Sequence, residues 1–136
     1  ADFLDGDAGS DLLEGGPGLD MALYEFSPRA IRADLRRRRG TGWGRDRFRS
    51  IEDLDGSRFG DLLVGDRVGN LIAGNGGNDL LAGGGGNDDL RGEKGSDTIG
   101  GGPGRDRLAG GPGKDALDGG PGRDVCRAGE LHTSCP

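Results

Sequence analysis

The chain has 136 residues, 32 of them glycine, with 31% apolar and 4% aromatic residues and 24 acidic against 18 basic side chains, a formal net charge of −6. So few apolar side chains exclude a conventional globular core, and composition alone would place the chain near disorder. No run is long and apolar enough to span a membrane and no signal or transit segment is legible, while the single histidine, His132, leaves neither a zinc-protease motif nor a histidine-based triad, so no enzyme is expected.

Taken in order, Ala1 to Asp5 already belongs to a repeat. Asp2 lies nine residues before Asp11 and Leu4 nine before Leu13, so the chain opens on the tail of a unit without its glycine turn, as a piece of a longer protein would. Two nonads follow, GDAGSDLLE at 6–14 and GGPGLDMAL at 15–23, with aspartates Asp11 and Asp20. Residues 24–55 leave the nonad phase but keep strand character: Ala22, Tyr24 and Phe26 alternate, as do Ile31, Ala33 and Leu35. Leu54 stands nine before Leu63, so the phase returns before Gly56. The insert lacks the apolar residues for a core of its own and is read as a longer, irregular coil of one domain spanning 1–136.

From Gly56 to Arg127 eight nonads run without insertion or deletion. The first residue is always glycine. The sixth is Asp61, Asn70, Asp79, Asp88, Asp97, Asp106, Asp115 or Asp124, and the eighth is Leu, Ile or, in the last unit, Cys126. A flexible linker has no reason to keep an apolar side chain at every ninth position. A unit with one apolar side chain can bury it only by stacking on its neighbours, so the pattern predicts a solenoid. Glycines at positions one, two and four allow positive φ and bring carbonyl oxygens together, and the aspartate adds a hard anionic oxygen. Carbonyls and carboxylates without clustered His or Cys select a hard cation, calcium before magnesium. Pro103, Pro112 and Pro121 fix φ at third positions and stiffen their turns.

The pattern GGxGxDxUx, with U a large apolar residue, resembles the repeats-in-toxin calcium-binding nonapeptides, as in GGPGKDALD at 110–118. The resemblance implies an all-β fold, a right-handed parallel β-roll in which six residues form a turn, three form a strand and two units make one coil. It implies calcium between same-side turns, about six ions or more. The paired side chains would be Asp61 with Asp79, Asn70 with Asp88, Asp79 with Asp97, Asp88 with Asp106, Asp97 with Asp115, and Asp106 with Asp124, with Asp2 and Asp20 a further pair at the front and Asp11 a further metal ligand there. Backbone carbonyls would complete the shells, from first and third positions (Gly74, Gly76, Gly83, Gly85, Gly92, Lys94, Gly101, Pro103, Gly110, Pro112) and from second and fourth positions (Gly84, Gly86, Glu93, Gly95, Gly102, Gly104, Gly111, Gly113, Gly120, Gly122). Two units depart from the pattern. GSRFGDLLV and GDRVGNLIA carry Phe59 and Val68 where glycine is expected, so calcium should bind less tightly at Asp61 and Asn70.

One Leu or Ile per nine residues cannot offset the entropy of ordering nine residues, so folding should follow calcium. The expected function is a calcium-triggered folding module of an extracellular protein, with a larger parent upstream. The alternatives are a calcium-rigidified structural or adhesive surface protein, or an excised scaffold. Residues 24–55 carry nine basic against six acidic side chains, Arg36 to Arg39 among them. Without stacking aromatics or base readers this argues against specific nucleic-acid binding and for a solvated edge or loop. Six bound calcium ions would invert the sign of the protein and favour weak contact with polyanions. Cys126 and Cys135, nine apart, would both fall at inward eighth positions of the terminal segment 128–136 and its neighbour, where a disulfide could close the end of the roll, or two buried thiols could fill it.

Overall fold

The computed structural model describes residues 1–127 and 131–135, with backbone only for 131–134. Among them there is no helix, and hence none long and apolar enough to cross a membrane. The strands are β1 (Phe3–Asp5), β2 (Leu12–Glu14), β3 (Met21–Leu23), β4 (Arg32–Asp34), β5 (Arg39–Thr41), β6 (Arg45–Arg49), β7 (Asp53–Asp55) and β8 (Leu62–Val64). They continue as β9 (Leu71–Ala73), β10 (Leu80–Ala82), β11 (Asp89–Arg91), β12 (Thr98–Gly100), β13 (Arg107–Ala109), β14 (Ala116–Asp118), β15 (Val125–Arg127) and β16 (Leu131–Ser134). Glycine-rich turns leave three residues per unit for a strand. Because side chains alternate across a strand, only the middle one of three points inward.

Outside the insert, successive strands alternate between two sheets, ordered β1-β3-β7-β9-β11-β13-β15 and β16-β14-β12-β10-β8-β4-β5-β6-β2. Within the array each strand pairs in parallel with the strand eighteen residues on, as in Leu81↔Ile99 and Leu90↔Leu108. The expected parallel β-solenoid with two units per coil is what forms. Its core is two facing files of single side chains, Leu63, Leu81, Ile99 and Leu117 against Leu54, Ile72, Leu90 and Leu108, all at most 1% exposed.

The insert widens one sheet only. Between β2 and β8 it lays an antiparallel meander, β4-β5-β6, with β6 parallel to β2 and β4 parallel to β8. The other sheet passes uninterrupted, β3 pairing directly with β7. The two added strands open a gap between the sheets, filled by Tyr24, Ile31, Leu35, Phe48 and Ile51. The rings of Tyr24 and Phe48 meet edge to face at 6.5 Å. Gly40 is required where β5 passes beneath them, since a Cβ there would collide with the Tyr24 hydroxyl and lie 2.9 Å from Phe48. Phe26 does not join this core. β3 ends at Leu23, the chain turns with the Ser27 N–H donated to the Tyr24 carbonyl, and Phe26 is left 69% exposed.

At the far end Cys126 and Cys135 form a disulfide with their Cα atoms 6.1 Å apart. The expected inward position of Cys135 is corrected. In β16 it is His132 that pairs in register with Leu117, the register then shifts, and Cys135 follows the strand. The bridge therefore joins β15 to the residue after β16.

Candidate metal centre

The sixth-position side chains stack into two ladders, one along each edge of the roll. Each expected pair is brought together by the same bond, in which the later carboxylate Oδ1 accepts the backbone N–H of the sixth residue one coil before. Asp79 accepts from Asp61 at 2.7 Å, Asp88 from Asn70 at 2.8 Å, Asp97 from Asp79 at 2.8 Å and Asp106 from Asp88 at 2.9 Å. Asp115 accepts from Asp97 at 3.0 Å, Asp124 from Asp106 at 2.9 Å, and Asp20 from Asp2 at 2.6 Å.

The other carboxylate oxygen is unpartnered. Among the described residues the buried side-chain oxygens without a hydrogen bond are the Oδ2 atoms of Asp11, Asp20, Asp79, Asp88, Asp97, Asp106, Asp115 and Asp124. A buried anionic oxygen without a partner is costly, and eight on one sequence position, spread over the two ladders, call for a shared kind of counterpart. The space beside them is shaped by the first-position glycines. A Cβ on Gly83 would collide with Asp88 Oδ2 and lie 2.6 Å from the Gly101 carbonyl oxygen. The same site on Gly92 touches Asp97 Oδ2 and, at 2.7 Å, the Gly110 oxygen, and that on Gly74 touches Asp79 Oδ2 and, at 2.9 Å, the Gly92 oxygen. The first-position carbonyls of Gly74, Gly83, Gly92, Gly101 and Gly110 are thus each brought against the sixth-position residue of the coil before.

Carbonyls at second and fourth positions, those of Gly84, Gly86, Glu93, Gly95, Gly102 and Gly104, point along the stack at the glycines of the next same-side turn. Those of Pro103 and Pro112 accept N–H bonds from Gly86 and Gly95, which leaves each one lone pair.

Turn conformation separates the eight orphaned aspartates from Asp61 and Asn70. Their turns all hold the second residue at positive φ, between +52° and +103°, even where it is Asp7, Asn75 or Glu93. Ser57 and Asp66, the second residues of the two departing units, stay out of that region. Their side chains turn inward instead. The Ser57 N–H and hydroxyl both donate to Asp61, at 2.6 and 2.8 Å, and the Asp66 N–H donates to Asn70 Oδ1 at 2.8 Å, while the Asn70 amide donates to the Glu52 carbonyl at 2.7 Å. The oxygens of Asp61 and Asn70 are satisfied within the chain.

Two carboxylates escape the nonad pattern. Asp46 stands beside Asp11, accepting its N–H at 3.2 Å, and its other oxygen takes the Tyr24 hydroxyl at 2.8 Å. Glu52 stands beside Asp20 and accepts its N–H at 3.0 Å. Both carry the ladders across the insert. No glycine turn precedes Glu52, whereas Asp46 follows Gly42 and Gly44, the second and fourth positions of TGWGRDRFR at 41–49, and each carboxylate lies two residues before an inward apolar residue, Phe48 and Leu54, the same spacing as positions six and eight. Those two glycines and that spacing were the available signal.

Burial sets the electrostatics. Desolvation, reinforced by the neighbouring carboxylates of Asp97 and Asp61 and opposed by the Asp61 N–H, pushes the Asp79 carboxyl up to about 7. Asp88 rises to about 6, and Asp97 and Asp106 rise for the same first cause. Each accepts one backbone N–H, which opposes the shift without cancelling it, and a nearby cation would stabilise the carboxylate form further. Among the described residues no three His, Cys, Asp or Glu side chains cluster as a metal site, so further donors would be backbone carbonyls. One carboxylate oxygen with carbonyls is an all-oxygen set, and it fits calcium.

A family model described as the RTX calcium-binding nonapeptide repeat (4 copies) matches residues 1–22, 64–99 and 100–130. The chain therefore belongs to the RTX calcium-binding repeat family. The unmatched stretch, 23–63, holds the meander and the first departing unit. No curated protein matches the chain.

Proposed function

We propose that this chain is a non-enzymatic, calcium-triggered folding module of an extracellular protein, carried by a larger parent. The observation that bears it is the row of eight buried, unpartnered Oδ2 atoms, each in a positive-φ turn. Calcium, when bound, supplies positive charge to oxygens that the fold has removed from water. The chain's part is to orient them. The Oδ1 bond to the coil before fixes each carboxylate, and the first-position glycine leaves room beside it. Without the cation the like-charged ladders repel, and the array has little else to hold it. Intracellular free calcium is low and extracellular calcium high, which would confine folding to the outside. Calcium uptake also offsets the acidity of the repeats and favours contact with anionic polymers. Circular dichroism through a calcium titration from a chelated start tests the reading. The expected result is a cooperative gain of β-signal, and an equal signal in chelator and calcium would overturn it.

A further inference from the structure

The outer face of the meander is an arginine field. On β4, β5 and β6 the outward, exposed side chains include Arg32, Arg39, Arg45 and Arg47, while the residues between them face the core. Arg39 and Arg47 stand directly opposite each other across the β5–β6 ladder, and Thr41 lies between Arg32 and Arg45 in the same rows. The nearby ion pairs, Arg36 and Arg37 with Asp34 and Arg49 with Glu14, involve none of these four.

Like charges directly opposite destabilise a sheet. Edge protection is the usual structural reason to accept that cost, and it is absent, since β4, β5 and β6 are each paired on both sides. The field belongs to a surface rather than to the fold. A groove runs over it, lined by Arg39, Thr41, Arg45 and Arg47, bordered by Leu12, which is 54% exposed, and closed at its base by Asp11 and the buried Asp46, whose Oδ2 is held by the Tyr24 hydroxyl.

We propose that this face binds a linear acidic polysaccharide. Arg39 and Arg47 stand about 4.8 Å apart across strands and Arg45 and Arg47 about 7 Å apart along β6, with Arg32 two strands from Arg45 and Asp34 opposite Arg39 at the border of the patch. That spacing suits a chain with an anionic group on each sugar or two. Guanidinium forks pair with carboxylate and sulfate groups bidentately, and Leu12 offers an apolar edge for a sugar face. No aromatic ring stands among the outward residues of these strands to stack a nucleobase. A flat sheet face does not enter a duplex groove. The proposal rests on the extracellular reading for its partner, while the surface itself stands on the fold alone.

The test is a titration of the calcium-loaded protein with a size-defined heparin fragment, repeated with duplex DNA and with polyglutamate of similar length. The double variant Arg39→Ser, Arg47→Ser is compared with Arg105→Ser, Arg123→Ser, which removes equal charge from exposed array turns. The meander variant should lose about tenfold or more in heparin affinity and the array variant about twofold or less. Arg32→Ser with Arg45→Ser is the second meander variant, should the first lose its β-signal. Equal losses in meander and array variants would reduce the face to diffuse charge. DNA or polyglutamate binding as tightly as heparin would assign it to nucleic acid or an acidic protein instead. Calcium response by circular dichroism is read in parallel. It should be unchanged in every variant, so failure of the calcium reading and failure of this one are separable.

Discussion

At the scale of the residue, one bond decides what each aspartate can do. Asp97 spends Oδ1 on the Asp79 N–H and keeps Oδ2 for a cation, whereas the amide oxygen of Asn70 is already taken by the Asp66 N–H. Asp97→Asn keeps the first bond and removes the charge, so the calcium midpoint of folding should rise about tenfold, and Asn70→Ala should move it far less. Equal midpoints by circular dichroism would refute the assignment. The raised carboxyls add a pH effect of definite sign. Asp79, at about 7, and Asp88, at about 6, hold protons in the folded, metal-free chain that the unfolded chain has released from carboxyls titrating near 3.8. Folded-state pKa values above the unfolded ones mean stability is greatest below the unfolded value and is lost as pH rises through the folded one. In chelator the β-signal should therefore grow on lowering the pH from about 8 to about 5, the reverse of the usual behaviour of ion-paired carboxylates. A chelated signal that falls over that range would show that these carboxyls are not buried as described.

At the scale of the element, a three-residue strand buries one side chain and depends on its neighbours for everything else. Leu81→Ala, at 0% exposure in the centre of its file, should cost about 2–5 kcal/mol in calcium, read by thermal or denaturant unfolding. The nonads made this much legible: Leu63, Leu81, Leu90 and the rest face inward because the eighth position is the middle of a strand. The paired aspartates were legible for the same reason, a period of nine with two units per coil. The meander was not, because alternation at Ile31, Ala33 and Leu35 marks a strand without saying which neighbour it pairs with. Its route depends on contacts remote in sequence, Gly40 beneath Tyr24 and Asp46 beneath its hydroxyl. Arg36 to Arg38 do form the exposed loop expected of them, the turn between β4 and β5, and only Arg39 enters a strand. The exposed Phe26 and the displaced Cys135 have a common cause, since period-two or period-nine extrapolation fails where a turn or register shift intervenes. Tyr24→Phe tests the meander's hold on the ladder. It leaves Asp46 Oδ2 buried without a donor, and should cost about 1–3 kcal/mol whether or not calcium is present. A loss seen only without calcium would place Asp46 among the metal ligands, since the cation would then take up the freed Oδ2.

At the scale of the whole molecule, the positions that need a cation and those that do not are segregated. The chain itself caps the ladder through Tyr24 on Asp46, Ser57 on Asp61, and Asp66 with the Glu52 carbonyl on Asn70, all between residues 24 and 70. That stretch also holds the two aromatic side chains of the core, Tyr24 and Phe48, with Ile31 and Leu35 beside them. The orphaned oxygens lie on either side, at Asp11 and Asp20 before it and from Asp79 to Asp124 after it. A solenoid folds by adding coils to a formed neighbour, so under the proposed calcium-triggered folding a self-sufficient centre would lower the cost of each added coil. The insert, which interrupts the repeat in sequence, would act as its nucleus. Hydrogen exchange in chelator should show residual protection at β4, β6 and β8 and little in β10 to β15. Calcium should then raise protection in β10 to β15 by about tenfold or more and in the meander by much less. Reducing the Cys126–Cys135 bridge should loosen β15 in the calcium form without reaching the centre, because only nearest-neighbour coils touch. Uniform exchange across the chelated chain, or protection gained by all strands at one calcium concentration, would mean a single cooperative unit with no preformed centre.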